Sequence, residues 1–374
     1  MTRLPAFAVC LCLCAAAAAQ TQDDFVFIHH SCGSNFLNGG LHAAMLAKDY
    51  VDERNDIGYG TSMAPDPGRP ASLGSVPGDR TDMNHWILWF NDYLSAVKQH
   101  GCTTGVNRIV MFKSCYPLSN IYSDGSLPGD PFSGSRTITN YQAVYRHAAG
   151  PGSTYSHGGY TYKPLEDIFA ENPETLFIPV TAPPRHYAPS DATNDAEAHR
   201  ARLFNNWLKG TWLSAYNVAH PGVNNVAVFD WFDVLAYADS HATHPNRLKT
   251  EYGGAGGDSH PNALACADST AVFATAPDNF IDAAWELFAG PPPIPGDANR
   301  DGVVSDADYT VWADHYGAAG ATWDMGDFNG NGTITEADYT IWADHYGQVV
   351  PEGVPEPLTG SLMAVGMLLI RRRR

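Results

Sequence analysis

The stretch DDFVFIHHSCGSNFL, residues 23–37, decides how the first part of this chain is read. Phe25 to Ile28 form an apolar run that leads straight into two histidines, a serine, a cysteine and a glycine. Such a short continuous run suits a strand buried on both faces. Ser31 then stands at the carboxyl end of that strand, and Gly33 follows closely to let the chain turn. Further strand-like runs are RIVMFKS (108–114), TLFIPVTAP (175–183) and NVAVFDWF (225–232). Amphipathic stretches lie between them at 84–101, 164–173 and 196–216, the last placing Ala201, Phe204, Trp207 and Leu208 on one face. This alternation predicts an α/β fold, a doubly wound parallel sheet with helices on both sides. Ligands of such sheets bind outside the carboxyl ends of the strands, where Ser31 falls. Residues 50–83 read as a Gly/Pro-rich insertion beside the cleft.

A strand-end serine becomes a nucleophile only with a base beside it. The best partner lies in GGAGGDSHPNALA, residues 253–265, where Asp258 and His260 are two apart in a Gly-rich loop before an Ala-rich helix. In extended chain these side chains point the same way, so the carboxylate can fix the imidazole tautomer. The competing reading is a capped turn at the start of that helix. His29 and His30 read as core or supporting residues, and His241 and His244 as part of a surface loop rather than a zinc site.

Together these residues resemble the SGNH/GDSL hydrolase family (flavodoxin-like sheet topology) over residues 20–290. The resemblance rests on Ser31 after the first strand, FIPVTAPP in a later strand, and the Asp258/His260-Pro pair near the domain end. The first block reads HHSCG rather than Gly-Asp-Ser, the last pair is Asp-x-His rather than Asp-x-x-His, and no Gly-x-Asn-Asp is present. The resemblance implies hydrolysis of acyl esters, with Ser31 attacking, His260 moving the proton and Asp258 orienting it. The Ser31 main-chain N–H would stabilise the oxyanion with a donor from FKSCYPLSN, namely Lys113, Ser114 or Asn120.

At 374 residues the chain is long for one domain. Its formal net charge of −18 argues against nucleic acid or an anionic membrane surface as partner. Residues 1–19 read as a secretory signal, with Arg3 before an apolar run that ends in alanines. Beyond it lie Cys32, Cys102, Cys115 and Cys266, an even count that suggests disulfides in an exported chain, with three connectivities open. With strand order 2-1-3-4-5, Cys32 and Cys115 fall at adjacent strand ends, which favours a Cys32–Cys115 bridge.

PPPIP, residues 291–295, reads as a stiff linker to a second module. There DADYTVWADHYG (306–317) recurs as EADYTIWADHYG (336–347). Each copy follows a loop with oxygen-bearing residues at alternating positions and a glycine at the sixth, a Ca²⁺-binding pattern. The first loop offers Asp297, Asn299, Asp301, the Val303 carbonyl, Ser305 and Asp308; the second offers Asp327, Asn329, Asn331, the Thr333 carbonyl, Thr335 and Asp338. The duplication, with aspartate closing each loop, resembles a dockerin over residues 296–348. That implies a small all-α module holding two Ca²⁺ ions and a cohesin-like partner. Residues 349–374 combine Val-Pro-Glu-Pro, an apolar segment and four arginines, and resemble a PEP-CTERM sorting signal processed by an exosortase. The expected protein is an exported, envelope or extracellular serine esterase acting on acylated carbohydrate. The alternative is a non-catalytic envelope or carbohydrate-binding protein on the same fold.

Overall fold

Among the described residues six short strands organise the first part of the chain: β1 (Asp23–Ile28), β2 (Val51–Ile57), β3 (Asn107–Lys113), a hairpin of β4 (Tyr155–His157) and β5 (Tyr160–Tyr162), and β6 (Leu176–Val180). β2, β1, β3 and β6 pair in that order, all parallel, with Phe27 of β1 between Asp56 and Met111. A computed structural model describes residues 23–188, 194–253, 257–290 and 294–349. The leader at 1–19, most of the PPPIP linker and the sorting tail after Val349 lie outside the described residues. The described residues of 23–290 and those of 294–349 form two compact units.

β1 is central and wholly buried, as its apolar run requires. Alternate side chains serve opposite faces of the sheet. Val26 and Ile28 join Val110, Phe112, Trp86, Phe90 and Phe169 on one side, while Phe25 and Phe27 join Ile109, Met111, Phe36, Trp231 and Phe273 on the other. Helices cover both faces, so the first unit is a mixed α/β structure around a parallel sheet.

Three expectations need correction. NVAVFDWF is not a full strand: it meets β6 only through the isolated bridges Phe177–Val226 and Val180–Phe229. It gives way to a helix at Trp231–Leu235, whose first turn is capped by Asp230 accepting from the Asp233 N–H. The region read as an insertion contains β2, VDERNDI, whose residues are mostly polar and only partly buried. An edge strand needs no apolar alternation, so it left no pattern to find. The 84–101 stretch is likewise two helices, Trp86–Asp92 and Leu94–Gln99, broken at Tyr93 (φ −137°). On the 196–216 stretch Ala201, Phe204 and Leu208 are buried as their spacing predicted.

The second unit carries helices Asp306–Asp314 and Glu336–His345 around a core of Ala298, Trp312, Ala321, Phe328 and Ile334. The two repeats lock reciprocally. Trp312 Nε1 donates to the Thr335 carbonyl at 3.1 Å, and Trp342 Nε1 to the Ser305 carbonyl at 2.9 Å. Among the described residues no helix is long and apolar enough to cross a membrane.

Phe112 is the test of the first core, because its ring packs within 4.9 Å of Trp86 and 4.7 Å of Phe90. Phe112→Ala should cost about 3–5 kcal/mol. Urea unfolding followed by circular dichroism will read this as a lower midpoint at unchanged slope. A midpoint equal to the wild type would show that this face is not the packed core.

Candidate functional site

At the end of β1 the chain turns abruptly. Ser31 adopts φ 49°, ψ −105°, a backbone conformation costly for a residue with a Cβ. The next residues start a helix at Cys32–Phe36, with the Gly33 and Ser34 N–H groups donating to the His30 and Ser31 carbonyls. Gly33 is required for contact: a Cβ there would lie 2.4 Å from His29 Cβ and 2.8 Å from Lys113 Cε. The turn is therefore pressed onto the ends of β1 and β3.

The structure brings Ser31 and His260 together across 229 positions of sequence, with the hydroxyl donating to His260 Nε2. On the other side of the ring, Nδ1–H donates to Asp258 Oδ1 at 2.7 Å, and the His260 main-chain N–H donates to the same oxygen at 3.0 Å. These two bonds hold the Asp258 carboxyl below the usual carboxylate range, so it stays ionised as an acceptor. The competing reading, a helix cap, falls to another residue: Asn262 caps the following helix by accepting from the Ala265 N–H. Tyr116 meets the His260 ring edge-on, with centroids 5.2 Å apart.

Two contacts hold the serine turn to the histidine loop. Asn35 Nδ2 donates to the Pro261 carbonyl at 3.1 Å. At Gly39 the two helices touch so closely that a Cβ would sit 2.2 Å from Cys266 Cβ. His186, which sequence reasoning passed over, bonds Ser259 between Asp258 and His260: its Nδ1 lies 2.8 Å from the hydroxyl, and its main-chain N–H donates to the same oxygen. RHY after a proline pair offers no spacing that would single it out.

The three candidate oxyanion donors are placed differently from one another. Lys113 is fully buried, its Nζ donating to Cys115 Sγ at 3.0 Å and to the Ser114 carbonyl at 3.4 Å. Ser114 Oγ accepts from Trp86 Nε1 at 2.9 Å. Both face the core. Asn120 is 5% exposed and its side-chain oxygen has no protein partner among the described residues. His29 is buried against Gly33 and Gly58, and His30 is stacked on the exposed Tyr59. His241 Nδ1 accepts from the His244 N–H within a turn. Cys32 and Cys115 are neighbours, as the strand order implied, but both are free cysteines rather than a bridge.

In the second unit, four of the loop carboxylates are turned inward. Asp297, Asp308, Asp327 and Asp338 are at most 3% exposed. Asp308 accepts from the N–H groups of Ala298, Asn299 and Ser305; Asp338 accepts from those of Asn329 and Thr335. Gly302 and Gly332 take φ 84° and 78° at the sharp turns. The ion pair of Arg300 goes to Asp324, at 3.2 Å. Buried carboxylates met by main-chain donors, among Asn, Ser, Thr and carbonyl oxygens, suit a hard divalent cation. Among the described residues no three His, Cys, Asp or Glu side chains cluster as a metal site.

Comparison with known proteins finds no matching family model and no matching curated sequence.

Burial lowers the His29 pKa from its ordinary value and outweighs the Asp56 carboxylate 3.6 Å away, which acts in the opposite direction. A depressed value means that the unfolded chain binds the proton first, so stability is full above about pH 6.5 and declines as pH falls below it. The urea midpoint should therefore drop between pH 7.5 and pH 5, and His29→Gln should flatten that drop whatever it does to the midpoint at pH 7.5. Equal slopes in the two proteins would remove His29 from the account.

Proposed function

We propose that the chain is an exported SGNH-like serine esterase that hydrolyses acyl esters, with acylated carbohydrate as the substrate class. The supporting observation is the continuous chain Ser31 Oγ, His260, Asp258 at the carboxyl edge of a parallel sheet. His260 takes the Ser31 proton as the hydroxyl attacks an ester carbonyl, then returns it to the leaving alcohol. Asp258 holds the tautomer that presents a bare Nε2 to the serine and stabilises the imidazolium formed during attack. Water repeats the sequence on the acyl-enzyme. The left-handed backbone at Ser31 lifts the nucleophile out of the strand line. The oxyanion donors in this reading are the Ser31 main-chain N–H and the Asn120 side-chain amide, since Lys113 and Ser114 are engaged elsewhere.

The inward-facing engagement of Lys113 and Ser114 is also the observation that favours the second reading, a carbohydrate-binding protein without a working oxyanion site. Hydrolysis of p-nitrophenyl acetate by the full chain separates the two. Ser31→Ala should abolish hydrolysis, and His260→Ala should lower the rate about 10²–10⁴-fold. Wild type at the Ser31→Ala rate on this and on acetylated xylan would leave the binding reading.

The second unit acts in this proposal as a dockerin-like module whose loops hold one Ca²⁺ each, through Asp297, Asn299, Asp301, the Val303 carbonyl, Ser305 and Asp308, and through Asp327, Asn329, Asn331, the Thr333 carbonyl, Thr335 and Asp338. The ions would neutralise the buried carboxylates, and the module would dock to a cohesin-like partner. Calorimetric titration of the chelator-treated full chain should give one Ca²⁺ per loop, with Asp297→Ala and Asp327→Ala each removing one. No binding at millimolar Ca²⁺ would end this assignment. The leader and tail fit export and exosortase processing.

A further inference from the structure

Beneath the Ser31 turn lies a cluster of groups to which the esterase mechanism gives no role. Cys32 is wholly buried and Cys115 is 2% exposed. Cys115 Sγ lies 3.2 Å from the His30 carbonyl and 3.3 Å from His30 Nδ1, and the Cys32 thiol is close enough for each sulfur to bear on the other's ionisation. Lys113 Nζ reaches it from the other side at 3.0 Å. Among the described residues no carboxylate pairs with Lys113; its remaining neighbours are the Ser114 carbonyl and, at 5.9 Å, the Trp231 ring.

A buried ammonium needs a negative partner close by. Cys115 is the group in contact that can supply one. As a thiol it would donate to the His30 carbonyl; as a thiolate it accepts from the Cys32 thiol and from Lys113, whose charge favours the second state. These contacts hold Cys115 well below the usual thiol range and push Cys32 above it. A thiolate beside a thiol is the pairing that oxidation chemistry uses, one sulfur attacking and the other resolving.

We infer that Cys32 and Cys115 form an oxidisable dithiol site behind Ser31, taking a small peroxide as oxidant, with Cys115 attacking and Cys32 closing the bridge. The Cys115 sulfur attacks one peroxide oxygen, the O–O bond breaks, and hydroxide leaves and takes up a proton. The Cys32 sulfur then attacks the resulting sulfenic sulfur, loses its own proton, and the sulfenic oxygen departs as water. In sum, two thiols and hydrogen peroxide give one disulfide and two waters. Peroxide is close to water in size, and His30 and Ser31, the residues that precede Cys32, are only half-buried. The bridge removes the counter-charge of Lys113 and draws on Cys32, the residue that follows Ser31. Ester hydrolysis therefore falls in the oxidised state; this consequence rests on the esterase reading, whereas the dithiol does not.

The test starts from full chain reduced with dithiothreitol, desalted, and exposed to near-stoichiometric hydrogen peroxide. Samples are then denatured, alkylated and mapped by mass spectrometry. The expected product is a Cys32–Cys115 cross-link, reversed by dithiothreitol, while Cys102 and Cys266 stay alkylated. Cys115→Ser should abolish it, Cys102→Ser should leave it intact, and Lys113→Met should slow it about tenfold or more, as thiolate control by a neighbouring cation requires. Cys32 and Cys115 both alkylated after peroxide, or a cross-link whose rate ignores Lys113 in a folded variant, would overturn the assignment. If the bridge forms but p-nitrophenyl acetate hydrolysis is unchanged, its coupling to Ser31 is overturned. If the reduced protein has no hydrolysis at all, the esterase reading fails and the cross-link still decides the dithiol.

Discussion

The contact from Ser31 to His260 joins the two ends of the first unit, and most of that unit's geometry serves it. Ser31 is held at a left-handed φ of 49°, a conformation that costs about 1–3 kcal/mol for a residue with a side chain. It persists because the surroundings leave the turn no alternative. β1 is buried between two paired strands, and Gly33 lies against His29 and Lys113. The helix beginning at Cys32 is then fixed by the close approach at Gly39 to Cys266. Each element positions the next, from the central strand through the turn to the helix that meets the histidine loop.

Polar groups in this region fall into two sets. Those facing solvent at the sheet edge, Ser31, His260 and Asp258, form one hydrogen-bonded chain with an exposed carboxylate at its end. Those beneath, His29, Lys113, Cys32 and Cys115, are buried and settle their charges among themselves. Burial favours neutral His29, whereas the Lys113 ammonium is stabilised by a sulfur that can carry the opposite charge. The same short stretch, His29 to Gly33, supplies members of both sets, so the chemistry at the surface and the electrostatics below share one piece of backbone.

The second unit follows a different principle. Its two loops share their main bonds: Asp297 and Asp327 each accept from the Gly at the sixth position, and Asp308 and Asp338 each accept from the residue at the ninth. Crossed tryptophan bonds then make each repeat complete the other's loop. A single copy could not satisfy these donors and acceptors, which is a physical reason for the duplication to be retained as a pair.

The buried apolar strands β1, β3 and β6, the both-sided burial of the sheet, and the paired loops with their glycines were all legible in the sequence, because burial on both faces demands unbroken apolar runs and a sharp turn demands glycine. Ser31, Asp258 and His260 could be nominated for the same kind of reason, as polar residues that interrupt those patterns. β2 was not legible, since an edge strand carries no apolar signature, and the break in 84–101 turns on the backbone of one residue, Tyr93. Nor could spacing reveal His186 behind Ser259, or the inward turn of Lys113 towards Cys115. Local sequence determines which residues are fit to be buried, to turn or to ionise. Only the tertiary structure decided which of them meet, because the contacts that join residue 31 to residue 260, and 115 to 30, depend on packing between elements distant along the chain.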